Sequence, residues 1–587
     1  MMEGGRQKTL PSFFNGKGEC MEKLGAFMLL ALAAYFVYSV YSSLRSAKLR
    51  RDAADKSFGT YMEHPQEEWD ALQAQWRLQE KSGQSGVDDI TWNDLDMNLA
   101  FHRINACLTT LGEEELYNRL RALQGVEDDW ENALAALDQN PALRLHIQTL
   151  LAHVGKNSEN GLPGLMKAPD EYRLPYPRLF QAAAYLPLAA AALLFFPGVA
   201  AIGLAALILS LMGNAYLYYW GERLLRGRMH TAHYLKSLLW FAKKLSRMPM
   251  PGLETQRAEL QAAVLPFVHT RGAFSVAAQE GMAAGDIGAL MMFFQVFFLT
   301  ELRAYNRMMA AVCDHAGELA ELYRAVGRLD VFVSTLSFRK SLPKYCLPHF
   351  HERTAIAAED IVHPLLQNGV ANSVSFCRGV LLTGSNASGK STFIKALAIN
   401  AILAQSINTC TAASFALPRS KVISSMALRD NLSGGESYFV VEVKSFRRIL
   451  QAVNHAPCLC FVDEILRGTN TVERIAASSA VLKSLQTDSS LCIAATHDME
   501  LTVLLSGQYD NYHFKEELKD KGITFDYKLR EGPSKTRNAL LLLQAYDFPA
   551  RVVQEASAMV STFEQEHRWA VPDATEGGGV SAPAQAG

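Results

Sequence analysis

The sequence predicts an α/β domain with a mainly parallel sheet in the C-terminal part of the chain, preceded by an all-α region and three transmembrane helices. After about residue 353, short apolar runs alternate with glycine-containing loops and helical segments, which is the pattern of a parallel sheet covered by helices. Before that point most segments have helical apolar spacing. Two uncharged stretches, residues 24–41 and 179–220, are long enough to cross a bilayer.

Length, charge and cysteine usage limit the class of protein. The chain has 587 residues, enough for about three or four domains at roughly 150 residues each. Its formal net charge of −2 gives no overall basic field, so DNA binding would need a local patch. The nine cysteines match neither a disulfide framework nor a zinc site, which is typical of reduced thiols. Cys458 and Cys460 lie in "CLCFVDE", and we expect both to be small core residues of a strand.

The first apolar stretch, residues 24–41, predicts a transmembrane helix. Its eighteen residues would span about 27 Å as a helix, close to the ~30 Å hydrocarbon core of a bilayer. The alternative, a signal peptide, has an apolar region of only about 7–15 residues. We expect residues 1–23 to form an N-terminal tail on the outer side of the membrane.

The second apolar stretch, residues 179–220, predicts a transmembrane hairpin. It divides at Pro197-Gly198, a turn-forming pair, into residues 179–196 and 199–219, each the length of one span. The alternative is a buried hairpin of a soluble domain. Basic residues flank the pair and favour two cytosolic ends, as expected for a multi-pass protein of the cell membrane with a cytoplasmic C-terminal domain: Arg178, Arg223, Arg226 and Arg228.

The remaining segments before the sheet are predicted to be helical. Residues 42–178 form a helical cytosolic region, and residues 221–352 continue it. Within the latter, residues 287–300 are apolar but short for a span, so we expect a buried core helix, with a fourth span as the alternative. The Gly/Ala/Pro-rich residues 561–587 are expected to be a disordered tail.

A glycine-rich loop predicts a nucleotide site. "GSNASGKS", residues 384–391, fits G-x-x-x-x-G-K-[ST] and lies between a predicted strand, residues 379–383, and a helix. Backbone N–H groups of such a loop surround phosphates, Lys390 reaches the β- and γ-phosphates, and Ser391 binds Mg²⁺. The predicted ATP contacts are Gly384, Ser385, Asn386, Ala387, Ser388, Gly389, Lys390, Ser391 and Thr392.

Two further strand ends carry candidate catalytic residues. "CLCFVDEI" places Asp463 to hold Mg²⁺ and Glu464 to act as general base toward the attacking water. The alternative for this acidic pair is a helix N-cap. "LCIAATHD" ends with His497, which could hydrogen-bond the γ-phosphate or the attacking water, or could simply face solvent.

A serine- and glycine-rich segment between these strands predicts a second anion-binding element. Because the phosphate loop already surrounds the phosphates of its own site, "RDNLSGGESYFVVEV" makes most sense as a lid over a partner's nucleotide. The alternative is a flexible loop. The residues assigned to this element are Ser433, Gly434, Gly435 and Ser437.

Together these motifs resemble the ATPase domain of the MutS family, in the family's order. "GSNASGKST", "DNLSGGESYFVVE", "DEILRGT" and "ATH" match the family's four motifs, and "VHPLL" is similar to the segment that enters its ATPase domain. The resemblance covers residues 353–556, and "DITWNDLDMNLAFHRINACLTTLGEEELYNRLRAL" weakly resembles the start of the family's core and lever region. It implies an ABC-like P-loop ATPase domain over residues 353–560 that converts ATP and water to ADP and phosphate with Mg²⁺.

The resemblance further implies a homodimer that binds DNA, in which Ser437 caps the partner's γ-phosphate. Three departures matter: Tyr438 replaces the usual Thr, Ser385 replaces the usual Pro, and no G-x-F-Y-E mismatch-reading motif is found in the sequence. We therefore expect a membrane-anchored MutS-like ATPase coupled to DNA binding. The alternative is an ATP-driven membrane machine or scaffold without mismatch recognition, in which the hairpin of residues 179–220 takes the place of the family's DNA clamp.

Overall fold

The structure, a computed structural model, describes residues 48–60, 86–157, 160–270, 293–385, 388–426, 438–519, 522–534 and 548–566, together with isolated residues elsewhere. The chain forms two compact units. The helical unit comprises Met1–Ser85 and Phe101–Pro343, and the sheet unit comprises Gly86–Ala100 and Lys344–Gly587. The first predicted transmembrane helix lies outside the described residues, apart from Tyr38 and Tyr41.

The mixed α/β fold, with helices first and a sheet in the C-terminal part, is confirmed. Helix α1 (Asp89–Asp94) belongs to the sheet unit, and α2 (Met97–Ile104) leads from it into the helical unit. The other helices before the sheet are α3 (Thr110–Ala122), α4 (Trp130–Gln139), α5 (Pro141–Val154), α6 (Leu162–Lys167), α7 (Pro177–Ala183), α8 (Leu186–Leu193), α9 (Ala200–Leu224), α10 (Arg228–Ser246), α11 (Glu254–Val264), α12 (Thr300–Asp314) and α13 (Ala316–Lys340).

Helix α13 is the centre of the helical unit. Most of its second half is buried on all sides, and Trp130 of α4 packs edge-on against Phe332 with 4.8 Å between ring centroids. Gly327 allows α3 to approach closely, since a Cβ atom there would lie 2.8 Å from the carbonyl oxygen of Leu111. Close packing along one long helix thus organises this unit.

A buried carboxylate ties α13 to the start of α3. Asp330, fully buried, accepts hydrogen bonds from the backbone N–H of Leu108 at 3.1 Å, from the N–H of Thr109 at 2.8 Å and from the Thr109 hydroxyl at 2.6 Å. Burial raises the pKa of Asp330 to about 6, although these donors oppose the rise. Thr109 in turn caps α3 by accepting the Gly112 N–H at 3.0 Å, so Asp330 fixes the N-cap residue of α3 from a neighbouring helix.

The predicted apolar hairpin is present, but its first limb is broken. Residues 179–196 were expected to form one helix; they form α7 and α8, separated at Ala184 and Tyr185. Pro187 has no N–H group to continue the hydrogen-bond ladder of α7. Asn214 of α9 is buried and donates to the carbonyl oxygen of Ala183 at 3.0 Å, so it satisfies an acceptor that the break leaves open.

Helix α9, the second limb, is long and apolar enough to cross a membrane by length and composition, and among the described residues it alone meets that test. The predicted turn between the limbs is present at residues 194–199. Of the segment 287–300, the first six residues lie outside the described part. In the described part, Phe293 and Phe294 are 56% and 50% exposed, whereas Val296 and Leu299 are buried, so a buried core helix over the whole segment stays a prediction.

The sheet unit contains a six-stranded sheet in the order β10-β9-β4-β8-β7-β6. Strands β4, β6, β7, β8 and β9 run parallel and β10 is antiparallel. A second sheet has the order β1-β5-β2-β3. The strands are β1 (Pro348–Phe350), β2 (Ile356–Ile361), β3 (Asn372–Phe376), β4 (Gly379–Thr383), β5 (Ser414–Leu417), β6 (Lys421–Ser425), β7 (Cys458–Asp463), β8 (Ser490–Ala495), β9 (Tyr509–Lys519) and β10 (Gly522–Glu531).

The three predicted strands are present as β4, β7 and β8, and every residue in them is buried. Continuous burial is what a parallel sheet covered by helices requires. Cys458 and Cys460 are core residues as expected, and Cys460 pairs in register with Cys492. The helices of this part are α14 (Lys390–Ile407), α15 (Tyr438–Val453), α16 (Thr471–Leu485), α17 (Met499–Leu504) and α18 (Ala550–Glu566).

The division of the chain differs from the predicted domain boundaries at three places. The sheet unit resumes at Lys344 rather than at residue 353, and α18 continues to Glu566, into the predicted tail of residues 561–587. The third difference is the largest. Residues 86–100 were assigned to the helical region 42–178, yet they pack in the sheet unit. Asp94 accepts hydrogen bonds from the Ser424 hydroxyl at 2.8 Å and from the Met426 N–H at 3.0 Å. Asp96 pairs with Lys395 of α14 at 2.5 Å. Polar contacts far apart in the chain, which local sequence patterns do not encode, decide this placement.

We predict that Asp330 makes the folded state more stable as pH falls from about 7 to about 5. Its pKa is raised from 3.8 to about 6, so between these values the folded protein binds a proton that the unfolded chain does not. The gain in stability should be absent in Asp330→Asn. Thermal unfolding followed by tryptophan fluorescence at pH 5 and pH 8 measures it, with the exposed Asp314→Asn as control. An equal pH dependence in Asp330→Asn and wild type would contradict this prediction.

Candidate nucleotide-binding site

The candidate site lies where three parallel strands of the sheet unit end. Strands β4, β8 and β7 are neighbours, and parallel strands present their carboxyl ends at one edge of the sheet. The phosphate loop follows β4, Asp463 ends β7, and His497 follows β8 closely. Thr496 donates its N–H to the carbonyl oxygen of Leu382 at 3.0 Å, which fixes the end of β8 beside β4. The fold thus brings these predicted residues to a common edge.

The phosphate loop depends on two glycines in backbone conformations that other residues rarely adopt. Gly384 has φ +140° and Gly389 has φ +102°. Gly389 also lies against the ring of Tyr527, where a Cβ atom would be 3.1 Å from a ring carbon. Helix α14 begins immediately afterwards at Lys390. Asn386 and Ala387, two of the predicted contacts, lie outside the described residues.

The polar groups of this loop fit a phosphate group. Lys390 is buried and donates to the carbonyl oxygens of Gly384 at 2.8 Å and Ser385 at 2.7 Å, so its ammonium group lies across the loop. The hydroxyl of Ser388 is buried and has no hydrogen-bond partner among the described residues. The first turn of α14 presents its backbone N–H groups and the positive end of the helix dipole to the loop. This is the chemistry of an anion site.

The oxygen donors nearby suit Mg²⁺. Ser391 is exposed in the first turn of α14, and Asp463 is nearly buried at the end of β7. Among the described residues no group of three His, Cys, Asp or Glu side chains could hold a metal ion. Mg²⁺ is commonly bound by one or two protein oxygens together with substrate phosphates, so this pair fits such a site.

The carboxylate of Glu464 is held between the side chains of His497 and Arg467. His497 Nε2 lies 3.0 Å from Glu464 Oε1, and Arg467 pairs with the other carboxylate oxygen. Burial alone would raise the pKa of Glu464, but the hydrogen bond and charge of His497, with the charge of Arg467, hold it below its ordinary value. Glu464 is therefore ionised at neutral pH, as a general base must be.

Two residues of this region were not predicted. Arg467 belongs to "DEILRGT" and contacts Glu464. Glu442 of α15 is 4% exposed and accepts the N–H of Leu466 at 2.5 Å. A signal for Glu442 was present in the sequence, because it falls on the same helical face as the buried Ser445, Phe446 and Ile449. A carboxylate on an otherwise buried face requires a partner.

The predicted trans-acting residues Ser433, Gly434, Gly435 and Ser437 lie outside the described residues. The structure describes the chain again from Tyr438, where α15 begins.

Comparison with known proteins supports the resemblance to the MutS ATPase domain that the sequence motifs indicate. Residues 380–564 match the family model of MutS domain V. The DNA mismatch repair protein MutS of Lactobacillus delbrueckii subsp. bulgaricus is 30% identical over 279 residues, which are 45% of this chain and 32% of that protein. The protein of the same name from Thermus thermophilus is 28% identical over 268 residues, which are 44% of this chain and 32% of that protein.

The parallel sheet, the phosphate loop and the acidic strand end define a P-loop nucleotide-binding domain. Over residues 380–564 the chain matches MutS domain V, and this domain is the part that it shares with the MutS proteins. The alignments span about a third of the length of the curated relatives that it matches.

Proposed function

We propose that the protein is a membrane-anchored MutS-like ATPase that hydrolyses ATP with Mg²⁺ in a composite site of a homodimer. The observation that carries this proposal is the Glu464 carboxylate, oriented by His497 at 3.0 Å on the sheet edge that also bears the phosphate loop and Asp463. An ionised base, an orienting histidine and a phosphate loop together are the groups that phosphoryl transfer to water requires.

Each residue has a defined role in this mechanism. The loop amides and Lys390 bind the β- and γ-phosphates and offset their charge. Ser391 and Asp463 would hold Mg²⁺, which supplies further charge neutralisation when bound. Glu464 accepts the proton of the attacking water, and His497 orients Glu464 and the water.

The dimer is supported by apolar side chains that surround the candidate site. The loop between β7 and α16, residues 464–470, carries Glu464 and is called the catalytic loop. Val472, in the first turn of α16, is 75% exposed, and Val503 of α17 is 73% exposed. Val440 and Val443 of α15 are also exposed. A second copy that covers these side chains would remove them from water and would bring its Ser437 to the γ-phosphate.

Membrane attachment is supported by the surface of α9. Its 25 residues span about 37 Å, and large apolar side chains such as Leu209 and Met212 are 70% and 66% exposed. Arg223 lies in the last turn of α9 and Arg226 just after the helix. Both are exposed, as expected at a cytosolic membrane surface. The proposal is therefore a multi-pass protein of the cell membrane with a cytoplasmic ATPase domain.

DNA is proposed as the second ligand, on family similarity alone. The matched relatives carry the name DNA mismatch repair protein. A different candidate, an ATP-driven membrane machine without DNA, is favoured by the contacts of the hairpin. Tyr218 of α9 donates to Glu301 of α12 at 3.1 Å, and Gly221 packs against Leu302. Since α12 directly precedes α13, the centre of the helical unit, movement of this unit would reach the hairpin.

We predict that Glu464→Gln keeps ATP affinity within about twofold and loses turnover by at least about a hundredfold, because the amide cannot accept the proton. Binding of a fluorescent ATP analogue and phosphate release measure the two quantities. Glu473→Gln, an exposed glutamate after the same loop, is the control. Turnover near the wild-type rate in Glu464→Gln would remove it from the mechanism.

We predict that Leu209→Lys weakens membrane integration, since a central lysine costs roughly 2.5–3.5 kcal/mol on insertion. Carbonate extraction of isolated membranes should leave the wild type in the pellet and release more of the variant. Leu265→Lys, at an exposed leucine outside the hairpin, is the control. Release of the wild-type protein by carbonate would contradict integral attachment.

We predict salt-dependent DNA binding by the detergent-solubilised full chain, stronger than binding to a charge-matched polyanion. Fluorescence anisotropy with linear and branched duplexes at several salt concentrations tests this, because counterion release gives a linear log–log slope. Equal affinity for DNA and for the polyanion would favour the membrane machine instead.

A further inference from the structure

The catalytic loop after β7 is held in an unusual backbone conformation. Glu464 has φ +56° and Leu466 has φ +55°, although neither is glycine. The left-handed conformation costs roughly 1–2 kcal/mol for such residues and persists only where surrounding contacts fix it. The direction of the Glu464 side chain therefore depends on the contacts that fix the backbone of this loop.

Two of the contacts that hold the loop come from α15. The carboxylate of Glu442 accepts the N–H of Leu466 at 2.5 Å. Gly468 lies so close to Phe439 that a Cβ atom on the glycine would be 2.9 Å from Cβ of Phe439. From the sheet itself, Glu464 donates its N–H to the carbonyl oxygen of Ala495 at 3.0 Å. The loop is thus fixed between β8 and α15.

Burying this carboxylate is costly. Burial raises the pKa of Glu442, opposed by hydrogen bonds from the N–H groups of Leu466 and Arg467 and by the charge of Arg467, while the charge of Glu464 adds to the rise. An apolar residue on this helix face would avoid that desolvation cost. The carboxylate therefore contributes something that packing alone would not, namely an acceptor for the N–H of a strained loop.

We propose that Glu442 is a positioning residue that sets the orientation of Glu464 and transmits movements of α15 to it. This inference rests on the proposed ATP hydrolysis in a dimer. Helix α15 begins one residue after Ser437, which is assigned to the partner's γ-phosphate. A nucleotide in the partner's site would therefore act on α15, then on Glu442, and through the Leu466 N–H on the catalytic carboxylate of the other site.

Three variants of the full chain test the positioning role. Glu442→Ala removes the acceptor, and we expect kcat to fall by about ten- to a hundredfold with KM and nucleotide affinity changed by less than about twofold. Glu442→Gln keeps an oxygen that can accept the Leu466 N–H and should restore much of kcat. The exposed Glu473→Ala, at the other end of the same loop, should match the wild type.

Two results would overturn the positioning role. The first is an unchanged kcat in Glu442→Ala. The second is a fall of kcat together with nucleotide affinity and melting temperature, which would mean that Glu442 only supports the fold. If Glu464→Gln itself hydrolyses ATP normally, the proposed function fails instead, so the two failures are distinguishable.

Mixed dimers test the transmission. One protomer carries Glu464→Gln, so that only its wild-type partner turns over ATP. Adding Lys390→Ala to the inactive protomer should slow the active site several-fold, because that protomer no longer holds a nucleotide. This effect should vanish when the active protomer carries Glu442→Ala. An effect of the same size with and without Glu442 would contradict transmission through this residue.

Discussion

The parallel register of β4, β8 and β7 is the constraint on which the site depends. Backbone hydrogen bonds align Asp463 with Ala495 and Leu382 with Ala495. The three strands therefore end at the same level of the sheet, and the three loops that follow them begin side by side although they are far apart in the chain. No single loop contains all the groups that ATP binding and hydrolysis would require. The phosphate loop binds an anion, and the ends of the other two strands supply the base and its orienting histidine. A slip of one residue in β7 would turn Asp463 to the opposite face of the sheet.

Much of this arrangement could be predicted from the sequence, because the strands and the residues at their ends are encoded in short, continuous stretches of the chain. Apolar runs of five or six residues followed by glycine, acidic or histidine residues indicate buried parallel strands with a site at their ends. The fold class and the strands "GVLLT" and "CLCFVDE" follow from that pattern alone. The parts that could not be predicted rest on long-range contacts. The placement of α1 depends on Asp94 and Ser424, which are 330 residues apart. The buried helix face of Glu442 signals that this carboxylate has a partner, but only the structure identifies the partner as the Leu466 N–H.

The apolar hairpin shows that a sequence pattern can predict a helical segment without predicting a break within it. Its overall apolar character and its turn were predicted, but the break between α7 and α8 was not, although Pro187 is visible in the sequence. Proline after an apolar helix start is compatible with both a continuous and a broken helix. Asn214 makes the broken form acceptable, since it donates to the carbonyl oxygens of Ala183 and Phe297 at 3.0 and 2.6 Å. In an apolar environment such open carbonyl groups would otherwise be costly.

The assignment of residues 86–100 to the sheet unit has a consequence for biosynthesis. Helix α1 and Asp96 leave the ribosome before most of the helical unit, whereas their partners Ser424, Met426 and Lys395 are made after it. Domains generally fold as units during synthesis, N-terminal ones first, but here the sheet unit closes around a segment that was made before residues 101–343 of the helical unit. Residues 101–343, most of the helical unit, are thus an insertion within the chain of the sheet unit, and the acidic, polar sequence of α1 suits a segment that must remain soluble until its partners exist.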